Sequence, residues 1–388
     1  MKVKLEDIAV LINGDRGKNY PSQADIVPDG DVPFVNAGHL NGRVISFDEM
    51  NYISQEKYNR LNSGKFVTGD ILYCLRGSLG KKAVVKNNIY GTIASSLVII
   101  RPDAKKVDVD YLMFALDSPS IREQLVKANN GSSQPNLSAA SVKSYNIDLP
   151  DRKIQEEVVA KLTKVRRIID ARQQEIQKLD DLIKARFVEM FGDPVLNPFG
   201  WEQTTLKDIA VGKLSYGSGA SATVYDGECR YVRITDITDS GELNDDIKSP
   251  GKYDEKYLLH DGDILFARSG ATVGKTFRYS EKKHKKSIYA GYLIRLIPDK
   301  EKVLADYVFY YTKTEYYSTF VKKAQKAVAQ PNINAQEYGN LIICLPPIHL
   351  QEEFVTFVQQ VNKYKSVVQK SLDETQTLFD ALMQQYFG

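Results

Sequence analysis

No stretch of this 388-residue sequence approaches the ~20 consecutive apolar residues that a membrane-spanning helix needs. Its first residues, MKVKLEDIAVLINGD, alternate charged with aliphatic residues, so we expect no signal peptide and a cytoplasmic protein. Cysteine is scarce, and Cys74, Cys229 and Cys344 are odd in number and far apart, which excludes a disulfide framework and a paired-cysteine zinc site. The four histidines are equally scattered, so we expect no metal site.

A strong charge of one sign is also missing. The 52 basic and 49 acidic residues leave a net charge of only +3, so overall charge does not argue for nucleic acid and any basic surface must be local. The sequence does contain enough apolar residues to build cores, because 43 % of it is hydrophobic and 26 % is charged, which excludes a disordered chain. Its length suits two or three globular domains, since single cores stop growing well below this size.

Internal repetition indicates the architecture, because the same series of short segments occurs in the same order in each half of the sequence. From Gln134 and Gln330 onward the second copy follows the first in strict register, whereas the offset drifts earlier, so insertions lie in the loops of the first part of each copy. The repeated segments, first copy before second, are KLEDIA (4–9) and TLKDIA (205–210), GDILYCLRGSLGK (from Gly69) and GDILFARSGATVGK (from Gly262), QPNL (from Gln134) and QPNI (from Gln330), and DLPDRKIQEEVV (from Asp148) and CLPPIHLQEEFV (from Cys344).

Each copy begins with about 150 residues of mixed, mainly β character. Short apolar runs such as 94–100 predict strands that are broken by turns. Helical patches interrupt them at 109–128 and 305–324, and a proline, Pro150 or Pro346, then precedes a long helix. We therefore predict an α+β fold with an internal pseudo-two-fold repeat, made of a mainly-β domain (1–150), a first long helix (151–192), a second mainly-β domain (193–346) and a C-terminal long helix (347–388).

Both long helices carry an apolar stripe with spacings of four and three residues, which is typical of a coiled-coil seam. A helix of roughly 38 residues is ~57 Å long, whereas a 150-residue domain has a radius of gyration of ~15 Å, so most of each helix must pack outside its own domain. Arg172, Lys365 and Thr375 interrupt the stripes. The stripe residues are Val158, Leu162, Val165, Ile169, Ile176, Leu179, Ile183, Phe187 and Met190 in the first helix and Phe354, Val358, Val361, Val368, Leu372, Phe379, Leu382 and Tyr386 in the second.

The path of the chain predicts how the two helices pair. The second domain begins where the first helix ends, near 194–201, and it finishes where the second helix begins, near Pro346. A domain about 40 Å across does not carry the chain back along a ~57 Å helix, so we predict that the helices are antiparallel. Two like domains held at a fixed separation suit a linear target with a regular repeat, and duplex DNA, which rises ~3.4 Å per base pair, is the obvious one.

In this arrangement the sequence closely resembles the specificity (S) subunits of type I restriction-modification systems over its whole length. The resemblance is carried by the GDIL segments leading to an Arg and a Gly, by the Q-P-N segments and by the proline and QEE that open each long helix, all in the same order in each half. The linker GDPVLNPFGW (192–201) also resembles the junction between the first helix and the second recognition domain of that family.

The resemblance implies a non-catalytic subunit that recognises an asymmetric, bipartite DNA site through two target-recognition domains. The partners it implies are two modification subunits, which methylate adenine using S-adenosylmethionine, and two ATP-dependent restriction subunits. S-adenosylmethionine, ATP and Mg are then expected only in those partners, with no cofactor in this chain.

Sequence readout needs Arg, Lys, Asn, Gln, Ser or Thr side chains at base edges, with further cations on phosphates. We expect these side chains in segments that differ between the two halves, whereas the shared Gly69-Asp70 and Gly262-Asp263 are interpreted as turns. For any single candidate, an ordinary solvated side chain is the competing interpretation. The candidates are Arg16, Lys18, Asn36, His39, Arg76, Ser78 and Lys81 in the first domain and Tyr216, Ser218, Arg233, Thr235, Asp236, Arg268, Ser269, Thr272, Lys275, Lys282 and Lys285 in the second. Lys282 and Lys285 belong to the densest basic run, EKKHKK, which suits phosphates.

Some segments resemble catalytic motifs without matching them. GATVGKT (270–276) has three residues between its glycines where a phosphate-binding loop needs four, so we favour a turn. Polar residues beside a proline more often bond their own backbone than a base, and we expect this of Gln134, Asn136, Gln330 and Asn332.

Two alternative functions stay open. One is a DNA methyltransferase or nuclease with duplicated domains, and the other is a coiled-coil adaptor that binds only proteins.

Overall fold

The two halves of the sequence build the same set of strands and helices in a computed structural model of the chain, which describes residues 1–129, 135–326 and 331–388. Contacts divide the chain into two units. Unit 1 comprises Met1–Gln173 and Lys370–Gly388, and unit 2 comprises Gln174–Gln369. Each long helix is therefore shared between the two units.

Unit 1 contains twelve short strands and five short α-helices within its described residues. The strands are β1 (Lys2–Lys4), β2 (Ala9–Asn13), β3 (Val32–Val35), β4 (Leu40–Asn41), β5 (Val44–Ile45), β6 (Tyr52–Ile53), β7 (Lys65–Phe66), β8 (Ile71–Cys74), β9 (Lys82–Val84), β10 (Gly91–Ile93), β11 (Leu97–Pro102) and β12 (Asn146–Asp148). The helices are α1 (Leu5–Ile8), α2 (Gln55–Arg60), α3 (Val109–Ala115), α4 (Pro119–Ala128) and α5 (Ala139–Lys143), and the long helix α6 (Arg152–Phe191) begins in this unit.

Unit 2 contains ten short strands and three short α-helices within its described residues. The strands are β13 (Glu202–Thr205), β14 (Ser215–Tyr216), β15 (Ala222–Val224), β16 (Arg230–Val232), β17 (Lys248–Pro250), β18 (Ile264–Ala267), β19 (Thr276–Arg278), β20 (Ser287–Tyr289), β21 (Leu293–Leu296) and β22 (Ile342–Leu345). The helices are α7 (Ala305–Tyr311), α8 (Glu315–Lys326) and α9 (Ala335–Gly339), and the long helix α10 (Ile348–Phe387) begins in this unit.

The strand pairing repeats from one unit to the other, which confirms two similar domains of the α+β class. A four-stranded sheet in the order β2-β11-β8-β9 corresponds to one in the order β14-β21-β18-β19. A parallel pair, β3 with β10, corresponds to β16 with β20. An antiparallel pair joins the first strand of each unit to the strand before its long helix, as β1 with β12 and β13 with β22.

The shared Gly-Asp pairs are turns in both units, as the sequence indicated. Gly69 and Gly262 have φ angles of 93° and 95°, and residues with a Cβ atom rarely adopt this backbone conformation. The buried carboxylates that follow accept backbone N–H bonds, Asp70 from Val67 at 2.8 Å and Asp263 from His260 at 2.9 Å. These residues start β8 and β18 in the same way and therefore belong to the common frame.

The long helices pack against each other within each unit, and they are antiparallel. In unit 1, Lys161 Nζ donates to the hydroxyl of Tyr386 at 3.3 Å. In unit 2, Lys365 Nζ lies 2.6 Å from Asp180 Oδ1. In each unit, contacts that lie later along α6 lie earlier along α10, which is the order expected of antiparallel helices. The core residues confirm the predicted stripes, with Val158, Leu162, Ile169 and Phe379 buried in unit 1 and Ile183, Phe187, Phe354, Val358 and Val361 buried in unit 2.

Each unit is closed by the last residue of a long helix. Phe387, which ends α10, contacts Tyr111 of α3 in unit 1 with ring centroids 5.2 Å apart. Phe191, which ends α6, contacts Tyr307 of α7 in unit 2 with ring centroids 4.9 Å apart. The repeated Phe-Gly at the end of each half therefore marks the same packing contact.

A buried glutamine anchors the start of each long helix. Gln155 Oε1 accepts the backbone N–H of Asp108 at 2.8 Å, and Gln351 Oε1 accepts that of Leu304 at 2.9 Å. Both side-chain amides also donate to the carbonyl of the preceding proline, Pro150 or Pro346. The glutamine of the repeated QEE motif thus connects each helix to the loop before α3 or α7.

Candidate nucleic-acid interface

The Q-P-N segment of unit 2 pairs with the chain that leaves strand β18. Ile333 N donates to the carbonyl of Arg268 at 2.8 Å, and Gly270 N donates to that of Pro331 at 3.3 Å. Gln330 lies outside the described residues. The pairing holds Arg268 in an extended segment at the edge of the unit, next to Asn332.

Arg268 is the centre of a small polar cluster with Tyr216 and Asn332, which we call the arginine cluster. The guanidinium carbon lies 4.7 Å from the centroid of the Tyr216 ring, and Nε donates to Asn332 Oδ1 at 3.1 Å. The hydroxyl of Tyr216 accepts the backbone N–H of Ala335 at 3.1 Å, which fixes the ring. Tyr216 is 41 % exposed and Asn332 is also exposed, so the cluster lies at the protein surface.

Unit 1 has the same backbone pairing with a different side chain on it. Leu137 N donates to the carbonyl of Leu75 at 2.8 Å, and Arg76 forms a bridge with Asn136. Its Gln134 also lies outside the described residues. The arginine of unit 1 is therefore one position later than that of unit 2, and because successive side chains in an extended chain point to opposite sides, the two arginines project differently from the same frame.

Among the other candidates of unit 1, Arg16, Lys18, Arg76 and Ser78 are exposed. Arg16 and Lys18 lie in the loop between β2 and β3. Ser78 follows Arg76 in the turn between β8 and β9. No structural observation assigns a DNA contact to these four side chains, and their role stays a prediction.

The candidates Asn36, His39 and Lys81 are engaged with the backbone of their own domain. Asn36 Oδ1 accepts the N–H of Gly38 at 2.8 Å, and the buried Nδ1 of His39 accepts the N–H of Asn36 at 3.1 Å. Burial lowers the pKa of His39, so the imidazole is held in its neutral form. Lys81 Nζ donates to the carbonyl of Ala37 at 2.9 Å. These contacts give the three residues a role in shaping the loop after β3.

Arg233 and Asp236 in unit 2 form a turn-stabilising ion pair. Asp236 is fully buried and accepts the backbone N–H of Arg233 at 2.9 Å. Asp236 raises the pKa of Arg233 by hydrogen bonding, and Asp246 lies 2.9 Å from the same guanidinium. Thr235 is exposed beside this turn. The carboxylate of Asp236 therefore holds Arg233 in place and is inaccessible to a base.

Ser218, Ser269, Thr272 and Lys275 also bond mainly within unit 2. Ser218 is buried, and its hydroxyl oxygen accepts the N–H of Ala220 at 3.1 Å. Thr272 donates to the carbonyl of the half-buried Ser269 at 3.2 Å in the short turn between β18 and β19. Lys275 Nζ lies 2.9 Å from Asp239 Oδ1. The segment 270–276 is thus a hairpin turn, as the glycine spacing indicated.

The basic run of unit 2 is flanked by tyrosines that the sequence reasoning missed. Lys282 is exposed, whereas Lys285 Nζ lies 5.2 Å from the ring centroid of Tyr225 and Lys286 Nζ lies 4.4 Å from that of Tyr253. Tyr225 and Tyr253 precede the first residue of the run, Glu281, by 56 and 28 residues, so only a general pattern of lysines with tyrosines in the same half could have indicated them.

A two-stranded ribbon next to this run was also missed. Strands β15 and β17 pair antiparallel over three residues each, and Val224 is 85 % exposed. Thr223 pairs with the buried Ser249 and donates to its carbonyl at 3.0 Å, whereas Ala222 and Val224 point to the other side of the ribbon, and all three residues of β15 are exposed. A two-stranded ribbon is an element that the major groove of DNA admits.

Within residues 1–129, 135–326 and 331–388, no group of three or more His, Cys, Asp or Glu side chains is arranged to hold a metal ion. Over the same described part of the chain, no helix is long and apolar enough to cross a membrane.

Comparisons with known proteins agree with this architecture. Two curated relatives are specificity subunits of type I restriction enzymes. One is StySPI from Salmonella potsdam, 22 % identical over 95 % of this chain and 84 % of the relative, and the other is MjaIX from Methanocaldococcus jannaschii, 23 % identical over 91 % and 85 %. A crystal structure of the S subunit of a type I restriction-modification system from M. genitalium matches the fold with a TM-score of 0.56 and 16 % identity, covering 100 % of this chain and 96 % of that one. The sequence profile described as the type I restriction modification DNA specificity domain matches residues 1–181 and 198–374. The chain therefore belongs to the family of type I restriction-modification DNA specificity domains, of which it carries two.

Proposed function

We propose that each unit reads one half of a split, asymmetric DNA sequence. As a member of its family the chain is a specificity subunit and not an enzyme. The observation that carries the proposal is the repeated frame with unequal side chains. The pairing of the arginine-bearing segment with the Q-P-N segment is the same in both units, but the arginine is at Arg76 in one and at Arg268 in the other.

Two domains that share one backbone arrangement but carry different side chains on it are suited to reading two different half-sites. The frame keeps each unit oriented on the duplex, whereas the identity of the base contact depends on which side chain reaches the groove. In unit 2 the exposed lysines 282, 285 and 286 suit phosphate contacts, and the β15–β17 ribbon suits the major groove. In unit 1 the exposed Arg16, Lys18, Arg76 and Ser78 are the corresponding candidates.

The long helices are proposed to set the distance between the two half-sites and to bind partner subunits. In the complex the chain recruits two modification subunits and two restriction subunits, and S-adenosylmethionine, ATP and Mg belong to those partners. The recognition domains are taken as 1–150 and 193–346, and the complex is proposed to work in the cytoplasm, where its DNA target is accessible.

The experiment that tests the proposal is an exchange of residues 1–150 for the corresponding segment of another family member. The hybrid is expressed with the modification subunits, and methylated adenines are mapped across the genome of the host cell. We expect one half-site of the methylated motif to change while the other half-site and the spacer stay the same. The reciprocal exchange of 193–346 is the matched control and should change only the other half-site. A motif altered in both halves, or in neither, contradicts the proposal.

A further inference from the structure

We propose that Arg268 reads a guanine in the half-site recognised by unit 2 and that Tyr216 and Asn332 position it for this contact. The inference rests on the proposed function, because it names the base that one arginine of the DNA-reading surface selects. It is carried by the geometry of the arginine cluster.

The terminal nitrogens of Arg268 are the groups left for a ligand. A guanidinium offers five N–H donors in a planar fork. Nε of Arg268 is used by Asn332, at 3.1 Å, and within the described part of unit 2 neither terminal nitrogen has a hydrogen-bond partner or a carboxylate within 4 Å. Two parallel donors match the O6 and N7 acceptors of guanine in the major groove.

Arg268 differs in this respect from the other arginines of unit 2. Each of the others uses at least one terminal nitrogen inside the protein. The partners are Glu353 for Arg186, the carbonyl of Asn244 for Arg230, Asp236 for Arg233, Asp306 for Arg278 and the carbonyl of Leu258 for Arg295. In the other arginines at least one terminal nitrogen is therefore bonded within the protein, whereas both terminal nitrogens of Arg268 are left for a ligand.

The arginine cluster also fixes the orientation of the guanidinium before DNA arrives. Contact with the Tyr216 ring at 4.7 Å restrains the position of the guanidinium, and the bond from Nε to Asn332 restrains its rotation. A free arginine side chain loses rotamer entropy when it is ordered, so a side chain already held during folding binds at a lower entropic cost. An oriented fork also matches a phosphate bidentately, and the 7-deazaguanine response separates a base contact from a phosphate contact.

Unit 1 has no equivalent cluster in the described residues. When the cross-strand register is followed from the shared GDIL segment, Asn13 takes the place of Tyr216 and Leu75 takes the place of Arg268. Leu75 is buried. The guanine contact is therefore specific to the half-site that unit 2 reads.

The test uses the full chain in complex with its modification subunits and a duplex that carries the methylated motif mapped in vivo. Each guanine of the two half-sites is replaced in turn by 7-deazaguanine, which lacks the N7 acceptor, and binding is measured by fluorescence anisotropy. For the wild-type complex we expect one guanine in the unit 2 half-site whose replacement weakens binding about 10-fold, the effect of losing one hydrogen bond to a charged donor. Inosine, which keeps O6 and N7, is the matched probe and should have no such effect at that position.

Variants assign the effect to the arginine. Arg268→Ala should weaken binding to the intact duplex and abolish the additional loss from 7-deazaguanine at that one position. Arg268→Lys keeps the charge but not the fork, and it should lose the response as well. If Arg268→Ala weakens binding but leaves the full 7-deazaguanine response in place, the arginine contacts a phosphate and the inference is wrong. Arg60→Ala, an exposed change on α2, is the control and should behave as the wild type.

The positioning role of Tyr216 and Asn332 has its own readout. Tyr216→Phe keeps the ring beneath the guanidinium and should retain the 7-deazaguanine response, whereas Tyr216→Leu and Asn332→Ala should reduce it without altering recognition of the unit 1 half-site. A response that persists in Arg268→Ala, or a unit 2 half-site without guanine, overturns the inference. If no split motif is methylated at all, the proposed function itself fails, which is a separate result.

Discussion

Replacing Gln351 by alanine should destabilise unit 2 strongly, although the side chain touches no candidate DNA contact. Gln351 is 0 % exposed, accepts the N–H of Leu304 at 2.9 Å and donates to the carbonyl of Pro346 at 2.8 Å. Alanine leaves the buried carbonyl of Pro346 and the partly buried N–H of Leu304 without partners, and each unpaired group costs about 1–3 kcal/mol. The expected loss in the free energy of unfolding is therefore about 2–6 kcal/mol, before any cavity is counted.

The single tryptophan of the chain is a convenient reporter for this measurement. Trp201 lies in unit 2, half-buried, and its Nε1 donates to the carbonyl of Phe191 at 3.1 Å. Urea unfolding followed by tryptophan fluorescence should show the transition of Gln351→Ala at a midpoint about 1–2 M lower than that of the wild type, since the slope for a unit of this size is about 2–3 kcal/mol/M. Gln360→Ala, at an exposed position of the same helix, is the control. A midpoint for Gln351→Ala within 0.2 M of the control, roughly 0.5 kcal/mol, refutes the anchoring role.

Two further predictions concern the half-buried Lys313 of unit 2 and the length of the helices. Lys313 contacts Thr276 Oγ1 at 3.3 Å, and burial lowers its pKa to about 8. Because the unfolded chain then binds more protons at Lys313 between pH 8 and about 10.4, the cost of burying this lysine should fall over this range, and Lys313→Met should gain about 3 kcal/mol at pH 7 and little near pH 10. The buried tyrosines titrate in the variant and in the wild type alike, so their effect cancels in the difference between the two proteins. An equal gain at both pH values contradicts the lowered pKa of Lys313. Insertion of seven residues after Gln173 and after Gln369 keeps the heptad phase and adds ~10.5 Å to each helix, so the spacer of the methylated motif should lengthen by about 3 base pairs with both half-sites unchanged. An unaltered spacer contradicts a measuring role for the helices.

The fold was predictable because repetition and helical periodicity are properties of sequence order alone. Two copies of GDIL, Q-P-N and QEE in one order require two copies of one domain, and stripes of Val, Leu, Ile and Phe at spacings of three and four require long paired helices. The turn at Gly69 and Gly262 followed in the same way, since its conformation depends on adjacent residues.

The candidate site was harder to predict because it depends on contacts between distant residues. Tyr216 and Arg268 are far apart in sequence and meet only through β14, β21 and β18. Polar residues such as His39 and Asp236 look suited to DNA, yet they are buried in turns, and sequence does not distinguish a side chain that bonds its own loop from one that faces a groove. Asn332 was expected to bond its own backbone, but its side chain accepts the Nε–H of Arg268 instead, while the backbone of its Q-P-N segment pairs with the chain after β18.

The closure of unit 1 by Phe387 has a consequence for biosynthesis. Unit 2 is a continuous stretch, whereas unit 1 needs Lys370–Gly388, which the ribosome makes roughly 200 residues after the rest of that unit. At about 5–20 residues per second, the surface around Tyr111 stays uncovered for roughly 10–40 s of translation. The half of the chain that is made first is therefore the half completed last, and during that interval its aromatic surface is open to chaperones, proteases or a neighbouring nascent chain.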